Sequence, residues 1–476
     1  MEKKTFPQGV WVVFFVLTLL MVGSASLQGA TVLYLTKKLH FTDDHAYSLF
    51  AAYHAILYAV CILGGFLGQR FLTQQYAVIF GLMMGCLAFL SLAVPTELFL
   101  YTGLSLSALS IGLVMPNIYD LLGKLYQKND AGRDSGFTIA YTGMNLGSLA
   151  GFMSAGFVMH YFGYTTVFLI SAAAFLAATI YFALKITLFS FQEKKVFDIS
   201  ANFTSALGII LLTAVIIFAM LHISFFSRAL IIGIGVVILL SILILAYKNR
   251  KTDQSKSRKL AIFVFLSFIS ISFWALYMLE PTMLVLFFDR NVNREIAGFI
   301  LPTASILSFN PIFMLILGPL MSVWWLHQSR QNKYTAPSAK FSAGIIALGF
   351  AFAFLALGVK FVGLHGYTAL IWVVLFFVCL SIGEIIIAPA GYAMIGVLIE
   401  DNLHSVALGI WQLVTGVGVA ISGDLAQLSS ISKAASLPPQ ATNPVYMIDF
   451  VLFAIAGITI GLLAFSLVRF QRKMGV

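Results

Sequence analysis

The chain has 476 residues, of which 60% are hydrophobic and only 10% charged, with a mean hydropathy of +0.97. No water-soluble core can hide that much apolar surface beneath so few charges, so a soluble globular domain is excluded and a polytopic membrane protein is expected. The net charge of +10 does not argue for a nucleic-acid partner, because the basic residues stand in short stretches between apolar runs, where they report orientation across a bilayer.

A helix needs about 20 apolar residues to cross a bilayer, and the first half of the chain offers such runs near residues 10–35, 48–68, 76–94, 98–122, 135–159 and 165–189. Lys3-Lys4 and the apolar run behind them have the outline of a secretory signal, but apolar sequence continues to Leu35, so an uncleaved first span is expected. Gly64 to Phe71 reads as a Gly-rich loop between the second and third spans. Two runs near 203–222 and 228–247, divided by His222 to Arg228, read as a hairpin whose composition offers no chemistry. The most polar stretch follows, KNRKTDQSKSRK from Lys248 to Lys259, and reads as a cytoplasmic linker. Further runs lie near 260–288, 299–326, 340–360, 367–399, 405–430 and 447–468, for about fourteen crossings in all.

This patterning predicts an all-α membrane protein in three segments: a six-helix bundle over 1–189, an inserted two-helix hairpin with its basic linker over 190–259, and a second six-helix bundle over 260–476. With the amino terminus inside, the cytoplasmic side receives most of the Lys and Arg. The other side receives Lys37, Lys38, Arg228, Arg290, Arg294, Lys360 and Lys433, so both termini are expected in the cytoplasm, at the cell (inner) membrane. Cys61, Cys86 and Cys379 sit inside apolar runs without pairing or ligand spacing, and no phosphate-binding Gly loop or nucleophile triad is present. Neither a metal, a cofactor nor an enzymatic activity is expected.

The stretch GLVMPNIYDLLGKLYQKNDAGRDSGFTIAYTGMNLGSLAG, from Gly112 to Gly151, is the most informative in the chain. It reads as two membrane helices joined by a charged connector from Lys124 to Asp134 and packed closely as a pair. Its Gly-Lys-Leu-Tyr, its Arg133 to Ile139 and its Gly143-Met144-Asn145-Leu146-Gly147 resemble the proton-dependent oligopeptide transporter (POT) family of the major facilitator superfamily. That resemblance extends over almost the whole chain. It implies the major facilitator fold, two six-helix bundles with an inserted hairpin rocking about a midplane site, and proton-dependent transport of di- or tripeptides or similar molecules.

The resemblance also implies site residues. Glu384, in Gly383-Glu384-Ile385-Ile386-Ile387-Ala388-Pro389, is similar to a family Glu that faces the cavity and contacts the substrate's amino end, and a carboxylate in hydrocarbon calls for such a role. Asn310 in Ser308-Phe309-Asn310-Pro311 and Asn145 match two cavity amides, which alternatively join helices by hydrogen bonds. Tyr58, Trp274 and Trp411 match aromatic positions of the family's pocket, with packing as the competing role.

Several departures stand against an ordinary peptide site. Where the family carries Glu-x-x-Glu-Arg on the first helix, this chain has Leu17, Leu20 and Met21, and Met115 stands where the family has Lys. A free carboxylate would therefore lack a charged partner in low dielectric. The family's Phe-Glu-Gln on the seventh core helix is replaced by Tyr277-Met278-Leu279, and Glu280, about 200° around a regular helix from Met278, cannot simply substitute. Glu280 serves either a proton pathway or a structural pairing, Asp289 belongs to the extracellular gate, and Asp424 faces either the cavity mouth or the outer interface. His54 titrates near neutral pH or packs, and Asp120 pairs with the basic loop behind it. The expected function is secondary active or facilitative transport of a peptide-like small molecule by a monomer in the bilayer, with protons as a coupling ion left open. The alternatives are a non-peptide metabolite, siderophore-like or drug-like, and a transport-dead membrane receptor.

Overall fold

A computed structural model describes residues 6–127, 132–190, 199–331, 336–363, 365–399, 404–431 and 437–473. The first part of the chain forms α1 (Gln8–Leu33), α2 (Asp43–Arg70), α3 (Gln74–Leu92), α4 (Glu97–Lys124) and α5 (Arg133–Leu184). Then come α6 (Ile199–His222), α7 (Ser224–Asn249), α8 (Gln254–Tyr277), α9 (Val285–Asn291), α10 (Thr303–Ile306) and α11 (Phe309–Arg330). The chain closes with α12 (Pro337–Lys360), α13 (Leu370–Leu398), α14 (His404–Gln427) and α15 (Pro439–Lys473). Among the described residues, thirteen helical stretches are long and apolar enough to cross a membrane.

Thirteen stretches and fourteen expected crossings agree because α5 holds two spans. A straight helix of its 52 residues would run ~78 Å, more than twice the roughly 30 Å of a bilayer's hydrocarbon. Gly163 breaks it with φ 81° and ψ 174°, a backbone only glycine adopts without strain, and the two halves match the runs read near 135–159 and 165–189.

Small residues decide which helices meet. Gly143, Gly147 and Gly151 fall four apart on one face of α5, and a Cβ on any of them would meet the α1 carbonyl of Phe14, Thr18 or Val22, themselves four apart. Backbones can approach that closely only without side chains between them. Ser26 adds a hydrogen bond to the Gly151 carbonyl at 3.0 Å. The glycine face of α5 thus packs on α1 and not on α4, correcting the pairing expected from sequence adjacency. We expect Gly147→Val to yield little monodisperse protein and a lower Tm in detergent, since overpacking costs about 1–3 kcal/mol and this clash is against backbone; an unchanged Tm would show that the contact is slack.

The Gly-rich stretch after the second span is likewise a packing surface and not a loop. α2 stays helical to Arg70, and Gly64 and Gly68 lie one turn apart, facing the Gly112 backbone and the Asn117 side chain of α4. Asn117 Nδ2 donates to the Gly64 carbonyl at 3.0 Å and to Leu113 at 2.7 Å, fixing the contact. The linker reading is also corrected: only Arg250 to Asp253 separate α7 from α8, and Asp253 caps α8 by accepting from the Lys256 amide at 2.9 Å.

Pro281 interrupts the long span from Gln254 to Asn291. It has no amide hydrogen, so a regular turn would leave a carbonyl unserved. The chain widens to a π-turn over Glu280–Leu284, with the Leu284 amide reaching the Leu279 carbonyl at 3.0 Å and the Thr282 hydroxyl reaching the Met278 carbonyl at 2.9 Å. After α9, Val292–Asn293 pairs in parallel with Thr368–Ala369, and Glu295–Ile296 pairs with Phe299–Ile300 across a tight turn.

The chain forms two compact units. One comprises Met1–Phe41, Ile56–Ser224 and Ala304–Ser308; the other comprises Thr42–Ala55, Phe225–Thr303 and Phe309–Val476.

Candidate functional site

Three helices of the second unit, α8, α11 and α13, bring polar side chains together. Glu384 on α13 accepts the Tyr277 hydroxyl from the last residue of α8 at 2.9 Å and the Asn310 amide from the start of α11 at 3.0 Å. Both bonds end on the same oxygen, Oε2. Ser381, one turn before Glu384, braces Asn310 through contacts of 3.5 Å to its amide and from its own hydroxyl to the Asn310 carbonyl. Gly383 allows this stretch of α13 to lie against α12, where a Cβ would meet the Gly344 carbonyl at 2.8 Å. The carboxyl is therefore held by neutral donors, with Oε1 carrying neither bond.

The π-turn brings in a second acid. Glu280 is 3% exposed, and it lies close enough to Glu384 for the two charges to interact. The regular-helix rotation used to separate Glu280 from Met278 does not apply here, because α8 ends at Tyr277 and the following turn is wider. Among the described residues, Glu280 Oε1 and Trp274 Nε1 are buried without a hydrogen-bond partner. Trp274 stands edge-on to Tyr277 at 5.2 Å and to Phe273 at 5.3 Å, forming an aromatic wall beside the carboxyls.

The remaining sequence-derived residues fall elsewhere. Trp411 on α14 is buried against Gly391 of α13 and edge-on to Phe341 at 6.0 Å, about two turns along α13 from Glu384. Asn145 and Tyr58 belong to the first unit, where the Asn145 amide donates to the Tyr141 carbonyl of its own helix at 3.0 Å. His54 stacks on Phe50 at 4.0 Å and shares a 3.1 Å contact between its Nδ1 and the Phe50 carbonyl. Asp120 pairs with Lys124 at 3.3 Å, as expected of it. Asp424 is bound by Arg228 of α7 at 2.5 Å.

Asp289 accepts the Thr303 hydroxyl at 2.8 Å and lies 3.8 Å from Arg294. The stronger pair at this end of α9 is one sequence reasoning missed: Arg290 donates to both oxygens of Asp43, at 2.6 and 2.9 Å. Such a two-bond fork is the strongest form of an arginine–carboxylate contact. Also missed were Tyr277 and Ser381, whose only signal was helical spacing, Tyr277 lying three after Trp274 and Ser381 three before Glu384. Asp449, buried on α15 and bonded by the Ser429 hydroxyl, was missed too.

With this geometry in place, comparison with known proteins is decisive. The sequence profile of the POT family matches residues 53–443, a range that contains the whole Glu384 cluster. The chain belongs to the POT family. Dipeptide and tripeptide permease B of Aliivibrio fischeri (strain MJ11) is 28% identical over 464 residues, covering 94% of this chain and 92% of that protein. Dipeptide and tripeptide permease B of Photorhabdus asymbiotica is 27% identical, covering 96% of each. The same architecture is seen in a mutant of peptide transporter POT in complex with alafosfalin, with a TM-score of 0.85 at 22% identity over 100% of this chain and 96% of that one. Tetrameric PepTSo2 matches with a TM-score of 0.86 at 20% identity over 99% and 100%. The major facilitator fold expected from sequence is thereby established. This POT-family chain is a multi-pass membrane transporter and not an enzyme.

Proposed function

We propose that this transporter carries peptide-like small molecules whose recognised group is an amine, across the inner membrane with both termini cytoplasmic. The observation that carries this reading is the Glu384 carboxyl, braced by Tyr277 and Asn310 on one oxygen. A substrate ammonium placed at the other would gain a charge-assisted hydrogen bond, about twice as strong as a neutral one. Trp274 supplies an apolar and cation-binding face beside it. Transport follows by rocking of the six-helix segments 1–189 and 260–476 about this depth in the membrane, with 190–259 as an insert. Asn145, Tyr58 and Trp411 contribute polar and aromatic surface from their own helices, and His54 packs.

What the spans lack shapes the substrate. Between Lys4 and Lys37 the sequence has no Asp, Glu, His, Lys or Arg, and Met115 supplies no charge. A terminal carboxylate would have to be desolvated without a cation, which costs several kcal/mol. We expect C-terminally amidated dipeptides to bind at least tenfold more tightly than the corresponding free acids. Calorimetry of the purified transporter with dialanine and dialanine amide checks this; equal micromolar affinity for both would show that a cation reaches the substrate.

The Arg290–Asp43 fork joins the end of α9 to the start of α2, and we infer that it, with Asp289, forms the gate at this end. Arg290→Lys keeps the charge but loses the planar fork. It is expected to lower turnover severalfold with little change in substrate affinity, and an unchanged turnover number would remove the pair from the gate.

A further inference from the structure

The stretch from Lys248 to Lys259 carries six Lys and Arg side chains and a single acid, Asp253, and nothing in the transport reading uses them. The fold draws them together. The end of α7 holds Lys248, the bend holds Arg250 and Lys251, and the first turns of α8 hold Lys256, Arg258 and Lys259. Both helices are long and apolar enough to cross a membrane, so the bend between them stands at a membrane surface. The surface of α7 agrees with that placement. Val237, Leu240 and Ile244 are exposed as lipid-facing side chains are, and Tyr247 beyond them is exposed too, with the Arg250 guanidinium 5.4 Å from its ring. A tyrosine at the end of an apolar face marks the headgroup level of a bilayer.

Beside the bend, a cavity of about 180 Å³ opens where the start of α8 meets the end of α13, both in the second unit. Its polar side is made by Ser255, Lys256 and Lys259, the two lysines three apart on one face of α8, and its apolar side by Leu260, Leu398 and Ile399. Asp253 also borders it, with its carboxylate engaged by the Lys256 amide at 2.9 Å as the cap of α8. Counting Glu400 and Asp401, which follow Ile399 in the sequence, these two segments carry six cations and three acids. We propose that the cavity binds the headgroup of an anionic phospholipid, with the phosphate at Lys256 and Lys259 and the glycerol and upper acyl chain against Leu260, Leu398 and Ile399. Its volume is below the roughly 300–1,000 Å³ of a pocket that encloses a whole small molecule, which suits a headgroup whose chains stay in the bilayer. A free anion gains nothing from the apolar side, and a zwitterionic headgroup brings its own cation against the surplus positive charge. Basic pockets between spans take anionic headgroups for these reasons, and basic clusters beside a span enrich anionic lipid around it. Lys248, Arg250 and Lys251 on the bend supply that enrichment, and the cavity supplies the site.

The test uses the full chain in detergent and needs no transport substrate, so it stands apart from the proposed function. Native mass spectrometry gives the dissociation constants of phosphatidylglycerol and phosphatidylethanolamine with matched acyl chains. Phosphatidylglycerol is expected to bind several-fold more tightly. Lys256→Gln with Lys259→Gln should weaken it about tenfold or more while leaving phosphatidylethanolamine within about twofold, as the loss of two cations beside a headgroup predicts. Lys256→Arg with Lys259→Arg should keep the native preference, which separates lost charge from a damaged fold. The bend variant Lys248→Gln, Arg250→Gln and Lys251→Gln, outside the cavity, should weaken phosphatidylglycerol less than the Gln pair does. Inorganic phosphate in millimolar excess should not displace the lipid. Equal affinity for the two lipids in the native chain overturns the site. A loss in the bend variant as large as in the Gln pair assigns the effect to diffuse charge and overturns the cavity, and displacement by phosphate makes it a site for the free anion and overturns the lipid.

Discussion

Glu384→Gln is expected to fold normally and to lose at least nine-tenths of transport. Gln keeps the length of the side chain and a carbonyl oxygen for the Tyr277 hydroxyl and the Asn310 amide, so the brace seen around Oε2 survives. What disappears is the charge. A hydrogen bond to an ionised group is worth about 1.5–3 kcal/mol, which is about 10- to 150-fold in affinity for an ammonium-bearing substrate. The pH dependence has a definite sign: the proton and the ammonium compete for one carboxylate, so affinity rises with pH through the titration of Glu384 and flattens above it. In Glu384→Gln that dependence should vanish while weak, pH-independent binding remains. Binding of dialanine amide measured by calorimetry from pH 5 to pH 8 gives the comparison. Native affinity with a native pH profile in the Gln variant would reduce Glu384 to a structural residue. Tyr277→Phe separates the brace from the charge: it removes one donor and should weaken binding far less than the Gln variant.

Glu280→Met should make the protein more stable and transport worse. Glu280 is 3% exposed and its Oε1 has no partner among the described residues. Burying a polar group without a compensating hydrogen bond costs about 1–3 kcal/mol in proteins, and a methionine of similar length removes that cost while filling the same space. A Tm rise of several degrees together with loss of concentrative uptake under an imposed inward proton gradient would mark Glu280 as a group retained for function. The π-turn gives the reason: it brings this acid near Glu384, so that a proton on one favours charge on the other. Asp424 is engaged by Arg228, which leaves Glu280 and Glu384 as the two acids of the cluster. If Glu280→Met is less stable, the carboxyl has a partner in the membrane environment. If uptake and its sensitivity to a protonophore are unchanged in both the Glu280 and Glu384 variants, proton coupling runs outside this cluster.

The number of crossings and two of the polar side chains that meet in the cluster, Glu384 and Asn310, were legible in the sequence by itself. Apolar runs of bilayer length are a one-dimensional property, and even the break in α5 was visible as a gap in hydropathy at Gly163. Glu384 and Asn310 stood out because a carboxylate or amide in an apolar run is costly enough to need a reason. The tertiary structure decided everything that depends on which faces meet. That α5 packs on α1 through Gly143, Gly147 and Gly151, that Gly64 and Gly68 are a contact surface on α4, and that Tyr277 braces Glu384 are matters of rotation about helix axes and of approach between distant segments. Hydropathy is nearly uniform around a membrane helix and carries little of that rotation. Arg290 with Asp43 and Arg228 with Asp424 are separated by hundreds of residues, and each charge near a span's end is equally consistent with a solvated headgroup position. Glu280 shows the limit most directly: its direction was judged on a regular helix, and Pro281 replaced that helix by a wider turn, because a residue without an amide hydrogen cannot complete the regular hydrogen-bond pattern.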